Sequence, residues 1–278
     1  MTPASTESAS RPAPRDGLLA AHELVKRYGG RTVVNRVSFH VGHGEIVGLL
    51  GRNGAGKTTS FRMTIGMIRP DGGRVFFHGE EISALPMYRR AQKGVGYLSQ
   101  ESSVFVRLNV EQNLLAILEL LKGMTPAERK RKAAMLMEQF GLTHLARQEA
   151  RTLSGGERRK LEIARALVTR PKLILLDEPF SGVDPIAVQD LQREILKLKQ
   201  VHGLSILLTD HNVRETLLVT DRSYIIHEGK VIAVGTPREL INNDLVRRAY
   251  LGTTFRGDEF DLRPDRAAPA APPAVPSS

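Results

Sequence analysis

The sequence predicts an α/β fold: a largely parallel sheet with helices on both faces. Three observations carry that expectation. The runs at 45–50, 173–176 and 205–209 are short and mostly apolar, the composition of strands buried on both faces. Each ends on glycine or on polar residues, and helical spacing resumes beyond it. A glycine-rich loop joins the first run directly to a helical pattern that begins at Lys57.

The elements can be justified in order. Residues 1–16 are rich in Ser, Ala and Pro without periodicity, so a disordered tail is expected there. The helix after the glycine-rich loop is expected from Lys57 to about Ile68. The segment 94–99 reads as another strand. Thr125 is placed to cap a helix, with Pro126 at its first position and Glu128 closing a capping box. That pattern runs to Phe140 and stops at Gly141. Ser154 and Glu157 repeat the capping-box spacing for a helix beginning near Arg158. Asp184-Pro185 opens a longer helix, in which Val188, Leu191, Ile195 and Leu198 step by three and four until Gly203. From 257 to 278 the chain mixes Pro, Ala and charge, a second expected tail. Between the tails, 17–256 reads as one compact region with no repeat and no coiled-coil heptads.

Composition narrows the function classes. The net charge of +10 favours anionic partners: a nucleotide, a nucleic acid or an acidic membrane surface. The densest basic runs, 129–132 and 158–160, sit in helical patterns and read as solvated helix faces. The chain has no cysteine, which excludes disulfides, thiolate metal sites and a cysteine nucleophile. No stretch approaches the ~18 apolar residues that span a bilayer. The first 16 residues lack the apolar segment of a signal peptide. A cytoplasmic protein is expected, with any membrane role supplied by a partner.

The chemistry concentrates in a few segments. Gly51-Arg52-Asn53-Gly54-Ala55-Gly56-Lys57-Thr58 matches G-x-x-x-x-G-K-[ST] in full, with Thr59 following. Glycines let backbone N–H groups converge on phosphate oxygens, and the following helix directs its positive end at the same anion. Lys57 is placed to reach the β- and γ-phosphates and the Thr58 hydroxyl to ligate Mg2+. Asp177 stands just past an apolar run, where a second Mg2+ carboxylate belongs, and Glu178 beside it is placed to polarise an attacking water. Gln100 and His211 also follow apparent strands; taken alone, each reads as a polar residue closing a strand edge. Tyr28 reads alone as packing, although an adenine needs a flat apolar partner and the chain has no Trp.

Leu153-Ser154-Gly155-Gly156-Glu157 adds a capped helix start with two glycines, an anion site in its own right. Tyr28, the loop at 51–59, Gln100, 153–157, Asp177-Glu178, 181–184 and His211 follow in an order that resembles ABC transporter ATPases over about residues 18–255. The segments GVGYLSQESSVF (94–105), LSGGERRKLEIARAL (153–167), DEPFSGVDPIAV (177–188), LLTDHNVRETL (207–217) and YLGTTF (250–255) are similar to the lipopolysaccharide export ATPases, the LptB family. Branched-chain amino-acid importer ATPases share the Glu157 signature but, on this reading, not the 210–216 run with the YLG-type end. Arg52 and Ser99 depart from the family, standing where relatives often carry Pro, and the last twenty or so residues have no counterpart.

The resemblance implies a P-loop NTPase core with an antiparallel β subdomain and a helical signature subdomain at about 101–170. It implies ATP and Mg2+, held between two head-to-tail copies in a homodimer. Lys57 and the loop amides would hold phosphates, and Thr58, Gln100 and Asp177 would serve Mg2+. Glu178 would be the general base, His211 would steady the γ-phosphate or the water, and Tyr28 would stack on adenine. Ser154, Gly155 and Gly156 would bind the γ-phosphate held by Lys57 of the opposite subunit, and Glu157 and Asp184 would join the nucleotide site. Transmembrane permease subunits are the implied partners, which would place the chain on the cytoplasmic face of the inner membrane. Phe105 reads either as core or as part of a groove that receives a permease helix. Three rival readings remain: a soluble ABC ATPase acting on nucleic acid, a nucleotide-binding regulator without turnover, and a branched-chain amino-acid importer ATPase. No coiled-coil insertion or second cassette supports the first, so no nucleic acid is expected. Intact Glu178 and His211 argue against the second.

Overall fold

The computed structural model describes residues 17–182 and 185–251; the two expected tails and Asp184 lie outside the described residues. In chain order the strands are β1 (Leu19–Tyr28), β2 (Arg31–Val41), β3 (Ile46–Leu50), β4 (Gly72–Phe77), β5 (Glu80–Glu81), β6 (Val95–Leu98), β7 (Leu173–Asp177), β8 (Ser205–Asp210), β9 (Arg222–His227) and β10 (Lys230–Gly235). The helices are α1 (Lys57–Ile65), α2 (Met87–Gln92), α3 (Val110–Leu118), α4 (Pro126–Gln139), α5 (Gly155–Leu167), α6 (Pro185–His202), α7 (Val213–Leu217), α8 (Pro237–Ile241) and α9 (Asp244–Val246).

Strands β3, β7 and β8 are buried along their whole length, which is why they read as continuous apolar runs. They form the centre of a six-stranded sheet in the order β10-β9-β3-β8-β7-β6. Its pairings are parallel except for the edge hairpin β9–β10. Alternate residues serve opposite faces. Ile46, Ile174, Leu176, Ile206 and Leu208 join a core with α3 to α6. Val47, Leu49, Leu173, Leu175 and Leu207 join a second core with α1 and the other sheet. That other sheet is antiparallel, in the order β2-β1-β4-β5. Its first hairpin turns on Gly29-Gly30, both at positive φ (52° and 81°), the backbone a two-residue β-turn of matching twist requires.

The Thr125–Glu128 and Ser154–Glu157 capping boxes are both formed. Two more, Asn109–Gln112 and Thr236–Glu239, start α3 and α8. Two boundaries differ from expectation. Helix α5 begins at Gly155, directly after its cap, rather than near Arg158. Helix α1 ends at Ile65, not Ile68, because Gly66 turns to φ 88° and gives its N–H to the Met63 carbonyl. The basic run 158–160 is also not a solvated face: all three side chains are half-buried. Arg158 donates to the carbonyls of Arg151 and Leu153, and Arg159 to Glu162 and the Ser99 carbonyl.

Gly66 has a second reason to be glycine. A Cβ there would lie 2.7 Å from Nε of Arg90, which is 1% exposed. Arg90 donates to the carbonyls of Met63, Thr64, Leu85 and Ser83, so one guanidinium satisfies the end of α1 and the approach to α2. Burial pushes it down to about 10, still charged at neutral pH. Arg90→Met strands those carbonyls and should lower the unfolding free energy by about 3 kcal/mol or more. Urea denaturation of the two proteins measures this; a loss below about 1 kcal/mol would mean water replaces the guanidinium.

Candidate functional site

Sheet register decides where the site lies. Strand β8 pairs with β3 on one side, Leu50 opposite Asp210, and with β7 on the other, Thr209 opposite Asp177. Three buried strands therefore end level, and the residues after them emerge side by side at the carboxyl edge of the sheet, where ligands bind in open α/β folds.

After β3 comes the glycine-rich loop. Gly51, at φ 154°, passes so close to β9 that a Cβ would sit 2.2 Å from the Ile226 carbonyl oxygen. Gly56, at φ 102°, would place one 2.8 Å from the Val33 oxygen. The turn after β9 clamps the loop from outside: Gly229 N–H donates to the Ala55 carbonyl (2.9 Å), and Asn35 N–H to the Gly229 carbonyl (2.8 Å). Arg52, Asn53 and Gly54 are exposed, while Thr58 and Thr59 are half-buried at the start of α1. No side chain caps α1, which leaves its first-turn amides without a side-chain acceptor next to the loop. Lys57 is 3% exposed and gives Nζ to the Arg52 carbonyl at 3.2 Å. Burial holds its ammonium below the usual lysine range, against the pull of Glu178, Asp210 and Asp177.

Asp177 is also buried, and Thr209 Oγ1 donates to its Oδ1 at 2.9 Å. Burial raises its carboxyl above the usual range despite that bond and despite Arg62 and Lys57 nearby. Glu178 has left-handed backbone, φ 44°, rare for a residue with a side chain. Its N–H is held by the Thr209 carbonyl at 2.9 Å. His211 Nδ1 lies 3.3 Å from Glu178 Oε2 and 3.6 Å from Asp210 Oδ1. The sequence alone assigns no role to Thr209 or Asp210. The available signal was two polar residues closing the 205–210 run, one of them aspartate, in a segment that must be buried.

Gln100 is exposed, with Nε2 3.5 Å from Ser181 Oγ. Both line a cleft of about 610 Å³ that also takes in Ser154, Gly155, Glu178 and Gly182. Among the described residues, Lys57 and Asp177 do not line that cleft. Ser154 caps α5: its N–H and Oγ each lie 2.8 Å from Glu157 Oε2, and these bonds hold the Glu157 carboxyl below its usual range. A Cβ added to Gly155 or Gly156 would meet nothing of this chain within 4 Å. Tyr28 ends β1 about half exposed, with Lys26 Nζ 5.5 Å from its ring centre. Asp184 is not among the described residues. Phe105 is not core: it is 45% exposed, with the Arg165 guanidinium 4.5 Å from its ring centre, while the neighbouring Val104 is buried.

Residues 34–181 match the ABC transporter family, and residues 230–256 match a segment described as branched-chain amino acid ATP-binding cassette transporter. The second match includes the Tyr250 to Phe255 end, which importers therefore share, while the 210–216 run lies outside it. The chain is 54% identical to the lipopolysaccharide export system ATP-binding protein LptB of Haemophilus influenzae, over 86% of this chain and 99% of the relative. It is 52% identical to LptB of Escherichia coli K12, over 86% and 98%. Among solved structures, the ADP conformation of MJ1267, an ATP-binding cassette of an ABC transporter, superposes with a TM-score of 0.76 at 29% identity, covering 84% of this chain and 98% of that one.

The raised Asp177 carboxyl has a consequence for stability. Its protonated form is favoured in the fold, so stability falls as pH rises from the unfolded value near 3.8 through the higher folded one, and stays lower above it. Asp177→Asn keeps an acceptor for Thr209 and removes the charge. The nucleotide-free variant should melt about 2–4 °C higher than the parent at pH 7, with the difference closing in acid. Calorimetric scans at pH 4 and pH 7 check this.

Proposed function

Since the chain belongs to the ABC transporter family as an ATP-binding cassette, we propose that it hydrolyses ATP to drive a transporter whose membrane-spanning subunits are separate chains. The observation that carries this is the convergence of Lys57, Asp177, Glu178 and His211 on the level ends of three adjacent strands, beside an uncapped helix start. Gly51 to Gly56 and the first amides of α1 cradle the phosphates, Lys57 faces the β- and γ-phosphates, and Tyr28 stacks on the base. Among the described residues no group of three His, Asp or Glu is placed to hold a metal alone. That suits Mg2+ shared with phosphate oxygens, with Thr58, Asp177 and Gln100 as its protein partners. When bound, it neutralises charge on the β- and γ-phosphates.

Glu178 takes a proton as water attacks the γ-phosphorus; the new O–P bond forms while the bond to the β-phosphate oxygen breaks and ADP leaves. His211, beside Glu178, steadies the water and the γ-phosphate. Ser154, Gly155, Gly156 and Glu157, with Asp184, complete the site of a second copy, so the working unit is a homodimer around two ATP. Gly155 and Gly156 support this, because their bare backbone is open where a neighbour would approach. We assign 17–256 as the cassette, with its helical signature part at about 101–170.

Similarity to the two LptB proteins supports lipopolysaccharide extraction from the inner membrane as the work done, with this chain on the cytoplasmic face. No helix among the described residues is long and apolar enough to cross a membrane. The match over 230–256 favours a second reading, an amino-acid importer with the same ATPase chemistry. Purification through a tag on this chain separates them: permeases with large periplasmic domains indicate export, and permeases with a solute-binding protein indicate import.

Glu178→Gln should lower turnover by about 10²- to 10⁴-fold while nucleotide binding persists, leaving an ATP-bound dimer on gel filtration. Turnover like the parent's would remove Glu178 from the base role. Phe105→Ala should leave basal ATPase within about twofold and reduce permease recovery in the tagged purification by about tenfold or more, as loss of an exposed aromatic anchor does. Undiminished recovery would discard Phe105 as a docking residue.

A further inference from the structure

Asp210 ends the central strand β8 with no exposed surface. Its Oδ2 accepts the N–H of Phe180 at 3.0 Å, and its Oδ1 accepts the N–H of Asn212 at 2.9 Å. Those amides belong to different turns. Phe180 lies two residues past Glu178, in the turn that leaves β7; Asn212 lies one residue past His211, in the turn that leaves β8. Oδ1 is also 3.6 Å from His211 Nδ1, which is itself 3.3 Å from Glu178. The turn carrying Glu178 needs such an anchor, because Glu178 sits at φ 44°, a conformation its side chain disfavours. A buried carboxylate is a costly way to finish a strand, and burial pushes this one up in spite of its two amide donors. A neutral side chain would end β8 more favourably if stability alone were at stake.

We infer that Asp210 is a positioning residue for hydrolysis: its carboxylate ties the Glu178 turn to the His211 turn and sets the separation of those two side chains. The inference rests on the roles given to Glu178 and His211 above. An Asn at 210 has a single oxygen, so one of the two amides faces an NH2 group and its turn is released.

The test is a double-mutant cycle on the full chain with Mg2+ and ATP, read as single-turnover rates so that slow variants stay measurable. Asp210→Asn should slow the chemical step by about tenfold or more, with nucleotide affinity within about twofold of the parent. In a His211→Ala background the same substitution should cost at least about threefold less than in the parent, because the Glu178–His211 separation it sets no longer bears on the rate. Equal losses in the two backgrounds, or a loss of affinity with the rate unchanged, would overturn the inference. If Asp210→Asn folds poorly by its melting curve, Asp210→Ser is run through the same cycle with the same expected non-additivity. Failure of the underlying roles looks different: His211→Ala or Glu178→Gln would then turn over like the parent, whatever the Asp210 variants do.

Discussion

The parallel pairing of β8 between β3 and β7 is the constraint on which the site depends. Because Leu50 stands opposite Asp210 and Asp177 opposite Thr209, a phosphate-shaped loop, a pair of carboxylates and a histidine turn begin at one height. A slip of one residue in either pairing would turn the facing side chains to the other surface of the sheet. The cores oppose this, since the apolar residues of β7 and β8 alternate between two layers and those of β3 are divided among three.

Around that edge, charge is held in tension rather than neutralised pairwise. A buried ammonium faces three carboxylates, two of them raised by burial, and the hydroxyl and amides of β8 and its flanking turns share the load. Such an arrangement is more costly to an empty protein than to one holding a polyanion with its cation. Arg90 plays the opposite part at the far end of α1. Its hydrogen bonds go only to carbonyls, and so it fixes the end of the helix through the backbone.

Much of this was legible in the sequence because short-range chemistry encodes it. The loop at 51–58, the Thr125 and Ser154 caps and the apolar strands each carry their reason within a few residues. The limits of α1 and α5 were less legible. Gly66 stops α1 partly because Arg90 occupies the space beside it, a contact across 24 positions. Arg158 and Arg159 turn inward to carbonyls at Arg151, Leu153 and Ser99, which helical spacing within 158–160 does not reveal. The roles of Thr209 and Asp210 were not legible because their partners, Asp177 and Phe180, lie about thirty residues away and meet them only through sheet register. Phe105 could not be decided by composition, since an apolar residue next to charges fits a core and a surface equally well.

Gly155 and Gly156 occupy the first turn of α5, where an added Cβ would have no non-neighbouring atom within 4 Å. Glycine in a helix costs up to about 1 kcal/mol relative to alanine, and here no steric crowding within the chain repays it. The fold thus tolerates a local loss that no close packing at the added Cβ positions explains. Directed evolution of this chain for heat resistance alone would therefore drift toward alanine at these positions. The resulting protein would be sturdier, and any contact that needs bare backbone at those positions would be lost, a trade-off that a screen on isolated chains has no means of detecting.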